Sequence, residues 1–270
     1  MSGPLRHFRR WGLPPLAGDW ALPTDPAAFP VFLLMGQSNM AGWSPIDPSQ
    51  AGDLSPVPRV LALGGQCTLK SRRPRGWTRW RPAAHPLHLS QRGTGFGLAL
   101  PFASRLLERK PGLTIGLIPC AWGGAGIDRL GPGSPLYGNA VRRARIAAMH
   151  GTLAGVLWHQ GETDALGDSL AHSHAGKLAA LIARLRTDLG TPALPFLIGD
   201  LGDFGNEKRD PAAIARQEVV RAGLRQVAVE TSDAAFVESD GLAGVDIVHF
   251  SRAAYIEFGR RYAEAYLHVV

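Results

Sequence analysis

Cysteine is scarce in this chain: Cys67 and Cys120 are the only two in 270 residues, and their spacing matches neither a metal site nor a disulfide framework. That scarcity fits a reducing compartment. A run of about 18 apolar residues is also missing, so no membrane-spanning helix is expected. Over residues 1–30, Arg6, Arg9 and Arg10 are followed by Pro14, Pro15, Asp19, Pro23, Asp25 and Pro26, which interrupt any apolar segment of a secretory signal. A cytoplasmic protein is the expectation. There are no internal repeats and no low-complexity tracts. Gly124-Ala125-Gly126-Ile127-Asp128-Arg129 lacks the last glycine of a dinucleotide fingerprint, which argues against a nicotinamide cofactor.

What is present is a chain 45% hydrophobic, long enough to bury a full core as one α/β domain over 31–270 preceded by an N-terminal arm over 1–30. Apolar runs at 31–35, 59–63, 113–118, 153–158, 194–198 and 234–237 read as strands. Between them, Leu178, Leu181, Ile182, Leu185 and Leu189 trace one helical face, Asp210-Pro211 reads as a helix start, and Tyr255, Phe258 and Tyr262 keep helical spacing near the end. Strands alternating with helices imply a parallel sheet covered on both faces.

The first apolar run ends in Gly36-Gln37-Ser38-Asn39-Met40-Ala41-Gly42, which puts Ser38 at the carboxyl end of a buried strand, where open α/β sheets hold their chemistry. Far along the chain, Asp246 and His249 stand three residues apart. A serine nucleophile needs a base, and the base needs a carboxylate to fix its tautomer. The three residue types are thus all available, although Met40 stands where the Gly-x-Ser-x-Gly elbow would need its second glycine, so a different serine-hydrolase fold is called for.

Gly36-Gln37-Ser38-Asn39-Met40-Ala41-Gly42 together with Asp246-x-x-His249 resembles the SGNH-type hydrolases, and within them the sialate O-acetylesterase-like group that includes carbohydrate esterase family six. Ile118-Pro119-Cys120-Ala121-Trp122-Gly123-Gly124 resembles that family's glycine block, and Trp158-His159-Gln160-Gly161-Glu162-Thr163-Asp164 its Trp-His-Gln-Gly-Glu signature. The resemblance implies a three-layer α/β/α sandwich around a mainly parallel, flavodoxin-like five-stranded sheet, and a cofactor-free serine esterase that removes small acyl groups, acetyl above all, from carbohydrate. It implies Ser38, Asp246 and His249 as the catalytic set, with the backbone of Ser38, Gly123 or Gly124 and the Gln160 side chain as oxyanion donors. Glu162 stands as a supporting group or as the rival triad acid, Asp246 being favoured because it lies so near His249 in the chain. Gln37, Asn39, Trp122 and Trp80 are expected to contact substrate. Ala125, Gly126 and Leu130 depart from the family pattern and bear on acyl or sugar preference.

The formal charge of +7 and pI near 10.0 are concentrated in Lys70-Ser71-Arg72-Arg73-Pro74-Arg75-Gly76-Trp77-Thr78-Arg79-Trp80-Arg81. Such a segment could grip nucleic acid or wall a sugar groove. Net charge speaks first to solubility, and a site wall is the favoured reading. His172-x-His174 is not expected to bind metal, because residues two apart on a helix point to different faces. Cys120 continues a buried strand and reads as structural rather than nucleophilic. The competing functional class is a carbohydrate- or nucleic-acid-binding module on an inactive esterase scaffold, which the intact catalytic set disfavours.

Overall fold

The structure is a computed structural model that describes residues 21–47, 49–50, 53–64, 79–88 and 95–270. Cys67, most of the basic segment and the first 20 residues of the arm lie outside the described residues. Asp25 caps a 3-10 turn over Pro26–Ala28, Phe29 is fully buried, and Pro30 already belongs to the first strand.

Seven strands form one sheet: β1 (Pro30–Gly36), β2 (Val60–Leu63), β3 (Trp80–Pro82), β4 (Ile115–Pro119), β5 (Thr152–His159), β6 (Phe196–Gly199) and β7 (Ala234–Val237), in the spatial order β3-β2-β4-β1-β5-β6-β7. The α/β class agrees with the sequence reading, whereas the strand count exceeds the expected five. The sheet is parallel except for β3, which pairs antiparallel with β2 at the edge. Residues 80–82 form too short a strand to show a period.

β1 is central, paired with β4 on one side and β5 on the other. Its alternate residues serve two cores, as a pleated strand requires. Val31, Leu33 and Met35 face the core made with α4 (Pro135–Ala148), α5 (Asp168–Leu189) and α6 (Pro211–Glu230), while Phe32 and Leu34 face that made with α2 (Ala99–Arg109) and α7 (Arg252–Val269). Burial on both faces explains the unbroken apolar run. Leu178, Leu181, Ile182 and Leu185 of α5 are buried as their spacing predicts, and Asp210 caps α6 by accepting the Ala212 N–H. Two further short helices are α1 (Ser38–Ala41) after β1 and α3 (Ile127–Leu130) after β4. The carboxyl ends of β1, β4 and β5 lie side by side, which brings residues 37–42, 120–126 and 160–164 to one edge.

Candidate active site

Two glycines shape the turn regions at this edge. Gly36 has φ +142°, and a Cβ there would sit 2.0 Å from the His159 carbonyl oxygen, so only glycine lets the end of β1 pass over β5. The next peptide is tied down by the Gln37 N–H donating to that same carbonyl at 3.0 Å. Ser38 then opens α1, nearly buried and with its N–H free of an acceptor among the described residues.

His249 Nε2 lies 3.0 Å from Ser38 Oγ, and Nδ1 lies 2.8 Å from Asp246 Oδ2. The other carboxylate oxygen, Oδ1, accepts the N–H of Val248 and of His249 at 2.7 Å each, an Asx-type turn that shapes the loop around its own base. Gly244 and Phe250 bridge the ends of this loop, and Ser251 caps α7 directly after it. Burial pushes the Asp246 carboxyl up, but its bonds from His249 and the two N–H groups outweigh this and hold it below the usual carboxylate value. Trp43 stacks on the imidazole at 4.6 Å with an interplanar angle of 16°. Nothing in the sequence patterns marked Trp43; its position just past the Ser38 motif was the one available sign.

Beside Ser38, the Trp122 N–H donates to the Gly36 carbonyl at 2.9 Å and the Ala125 N–H to the Trp122 carbonyl at 3.1 Å, which closes a turn with Gly124 at its third position. Gly124 has φ +69°, the conformation a type II turn demands there. The N–H groups of Gly123 and Gly124 have no acceptor among the described residues.

A family model described as carbohydrate esterase, sialic acid-specific acetylesterase, matches residues 28–268. The chain belongs to this family. A probable carbohydrate esterase of Arabidopsis thaliana is 30% identical over 261 residues, covering 88% of this chain and 90% of that protein. An X-ray structure of an Arabidopsis thaliana protein superposes with a TM-score of 0.74 at 28% identity, over 90% of this chain and 99% of that one. NanS shares the fold, with a TM-score of 0.72 at 21% identity over 91% of this chain and 98% of its own. This carbohydrate esterase is therefore a carboxylic ester hydrolase acting on acetyl groups of carbohydrates. No helix among its described residues is long and apolar enough to cross a membrane.

Several expected site residues of the esterase have other partners. The Gln160 amide is fully buried; Nε2 donates to Gln37 Oε1 and the Ala125 carbonyl at 3.2 Å each and to Asp164 Oδ2, while Oε1 faces His174 Nε2 at 2.9 Å. Three acceptors share its two N–H bonds, so none is left over for the oxyanion role expected of it. Gln160 instead ties the turns after β1, β4 and β5 together. Asp164 extends this tie by accepting the Ile127 N–H at 3.1 Å. Burial raises the Asp164 carboxyl more than these bonds lower it.

Glu162 does not touch His249. Its Oε1 lies 3.1 Å from His159 Nε2 and accepts from Asn39 Nδ2 at 2.5 Å. Asn39 is fully buried and cannot contact substrate, contrary to expectation. The side chain of Trp80 is packed in the core, where it meets Phe29 edge-on at 4.8 Å; Trp122 packs against the same core and is 5% exposed, as Ser38 is. Gln37 is nearly buried as well: its Oε1 is held by Gln160 Nε2 and the Thr163 N–H at 3.2 Å each, and Nε2 has no acceptor among the described residues. His172 is exposed and bonds the Asp168 carbonyl, whereas His174 is buried against Gln160, so the two do not converge. Cys120 is buried, as its place at the end of β4 predicts.

Proposed function

We propose that this esterase removes O-acetyl groups from a sugar through a covalent acyl-enzyme on Ser38. Ser38 Oγ attacks the ester carbonyl, and His249 Nε2 takes its proton and returns it to the leaving alkoxide. Asp246 holds Nδ1–H, which keeps Nε2 as the accepting atom. Water then attacks the acyl-enzyme by the same route. No step calls for a metal or an organic cofactor.

The developing oxyanion is met by the Ser38 N–H and by an N–H of the glycine turn, with Gly124 favoured because it is the exposed glycine of that turn. Donors already fixed in place cost no reorganisation when charge develops. Gln37, its oxygen anchored by two donors, offers Nε2 next to Ser38 in the chain as a side-chain donor to substrate.

The observation that carries this reading is the unbroken chain from Ser38 Oγ through His249 to Asp246, at 3.0 and 2.8 Å. Its test is Ser38→Ala, which should abolish p-nitrophenyl acetate turnover and fluorophosphonate labelling while leaving the circular dichroism spectrum unchanged. Surviving labelling would assign the nucleophile elsewhere. In a chain-length series, acetyl and propionyl esters should far outpace octanoyl; a maximum at eight carbons or more would refute the acyl preference.

A further inference from the structure

Asn39 follows the nucleophile and uses every hydrogen-bonding position of its amide. Nδ2 donates to the Val248 carbonyl at 3.0 Å and to Glu162 Oε1 at 2.5 Å; Oδ1 accepts the Phe250 N–H at 3.3 Å and the Tyr255 hydroxyl at 2.7 Å. Val248 and Phe250 flank His249. One side chain therefore grips the peptide groups on both sides of the base, and its own backbone is bonded to Ser38. Among the described residues, the other direct hydrogen bond between residues 37–42 and the loop 244–250 is the Ser38–His249 contact itself.

We propose that Asn39 is a positioning residue that sets the separation of Ser38 Oγ and His249 Nε2, and that Glu162 is the partly buried charge that fixes the orientation of the Asn39 amide. The proposal rests on the reading of Ser38 as nucleophile and His249 as base. A carboxylate only accepts hydrogen bonds, so Glu162 selects the rotamer in which Nδ2 faces it and the Val248 carbonyl, leaving Oδ1 for Phe250 and Tyr255. Although burial pushes the Glu162 carboxyl up, the neighbouring His159 and the Asn39 amide more than offset this and hold it below its ordinary value, so it is ionised at neutral pH. Asp246 and the Gly244–Phe250 bridge shape the His249 loop from within. Asn39 registers that loop against the nucleophile.

Misplacement of a reacting group by about 1 Å costs on the order of 100-fold in rate. Asn39→Ala should accordingly lower kcat for p-nitrophenyl acetate by about 100-fold with KM within about twofold, and slow fluorophosphonate labelling by the same factor. The fraction of molecules finally labelled should stay complete, because a loss of folding alone would lower that fraction and leave each active molecule at the wild-type rate. The acid limb of the pH–rate profile should also stay in place, since the Asp246–His249 pair lies within the loop. Should Asn39→Ala fail to fold, the double variant Asn39→Asp with Glu162→Gln keeps size and one bond between the two positions but loses the donor to Val248. It should be fully labelled and roughly 10-fold slower, between the wild type and a full misplacement. A wild-type labelling rate in whichever variant folds would overturn the proposal. If Ser38→Ala remained active, the reading beneath it would fail instead.

Discussion

Asp246→Asn removes one charge and almost no volume, and the geometry says which way the new amide must turn. In the carboxylate, Oδ1 accepts two backbone N–H groups at 2.7 Å while Oδ2 faces His249 Nδ1 at 2.8 Å. An amide has a single oxygen, and the two N–H groups claim it; the NH2 group then donates to Nδ1. The imidazole proton must move to Nε2, the atom that has to accept the Ser38 proton. Turning the amide back breaks two hydrogen bonds worth about 1 kcal/mol each and sets its NH2 group against the two N–H donors. With the wrong tautomer held in place, kcat should fall on the order of 10,000-fold, about 5 kcal/mol of barrier at about 1.4 kcal/mol per factor of ten. The assay is p-nitrophenyl acetate turnover near neutral pH, with circular dichroism as the check on folding. Glu162→Gln, which leaves the Asp246–His249 bond untouched, should cost less than about 10-fold, the scale of weakening one charge-assisted bond. An Asp246→Asn enzyme within tenfold of wild type, or an inactive Glu162→Gln beside an active Asp246→Asn, would refute the assignment of the acid.

Three further outcomes follow from the same contacts. Gln160→Ala leaves the Asp164 carboxylate with the Ile127 N–H alone and takes the hydrogen-bond partner from buried His174, so thermal or urea unfolding should register a loss of roughly 2–4 kcal/mol, and a stability-neutral variant with kcat lowered about 100-fold would restore Gln160 to the oxyanion hole. Gly36→Ala should cost roughly 3 kcal/mol or prevent folding, because its φ of +142° and the 2.0 Å approach of His159 oxygen leave no room; a melting temperature equal to wild type would contradict this. Burial lowers His85 and His88 to about 3 and His174 to about 4, against an ordinary 6.5. The unfolded chain therefore takes up protons that the folded one refuses, so their contribution is complete above about pH 6.5 and is lost as pH falls towards those lowered values, by about 1 kcal/mol per pH unit for each. Urea midpoints that stay flat between pH 7 and 5 would speak against neutral buried imidazoles.

The sequence determined the parts of this esterase whose physics is local. An apolar run buried on both faces and stopped by Gly36 makes a central strand wherever it sits, and the serine that follows inherits the carboxyl edge. Asp246 and His249 lie three residues apart, close enough for one turn to join them, so their partnership could be read before any fold was known. Tertiary structure decided everything that depends on partners distant in the chain. Asn39 meets the Val248 carbonyl 209 residues away, and Gln160 meets Gln37 at a separation of 123. An amide side chain gives its hydrogen bonds to whichever groups the fold brings within about 3 Å, and no local pattern carries that information. For the same reason an indole in a motif can equally line a groove or fill a core, and Trp80 fills the core because edge strand β3 sets it against Phe29.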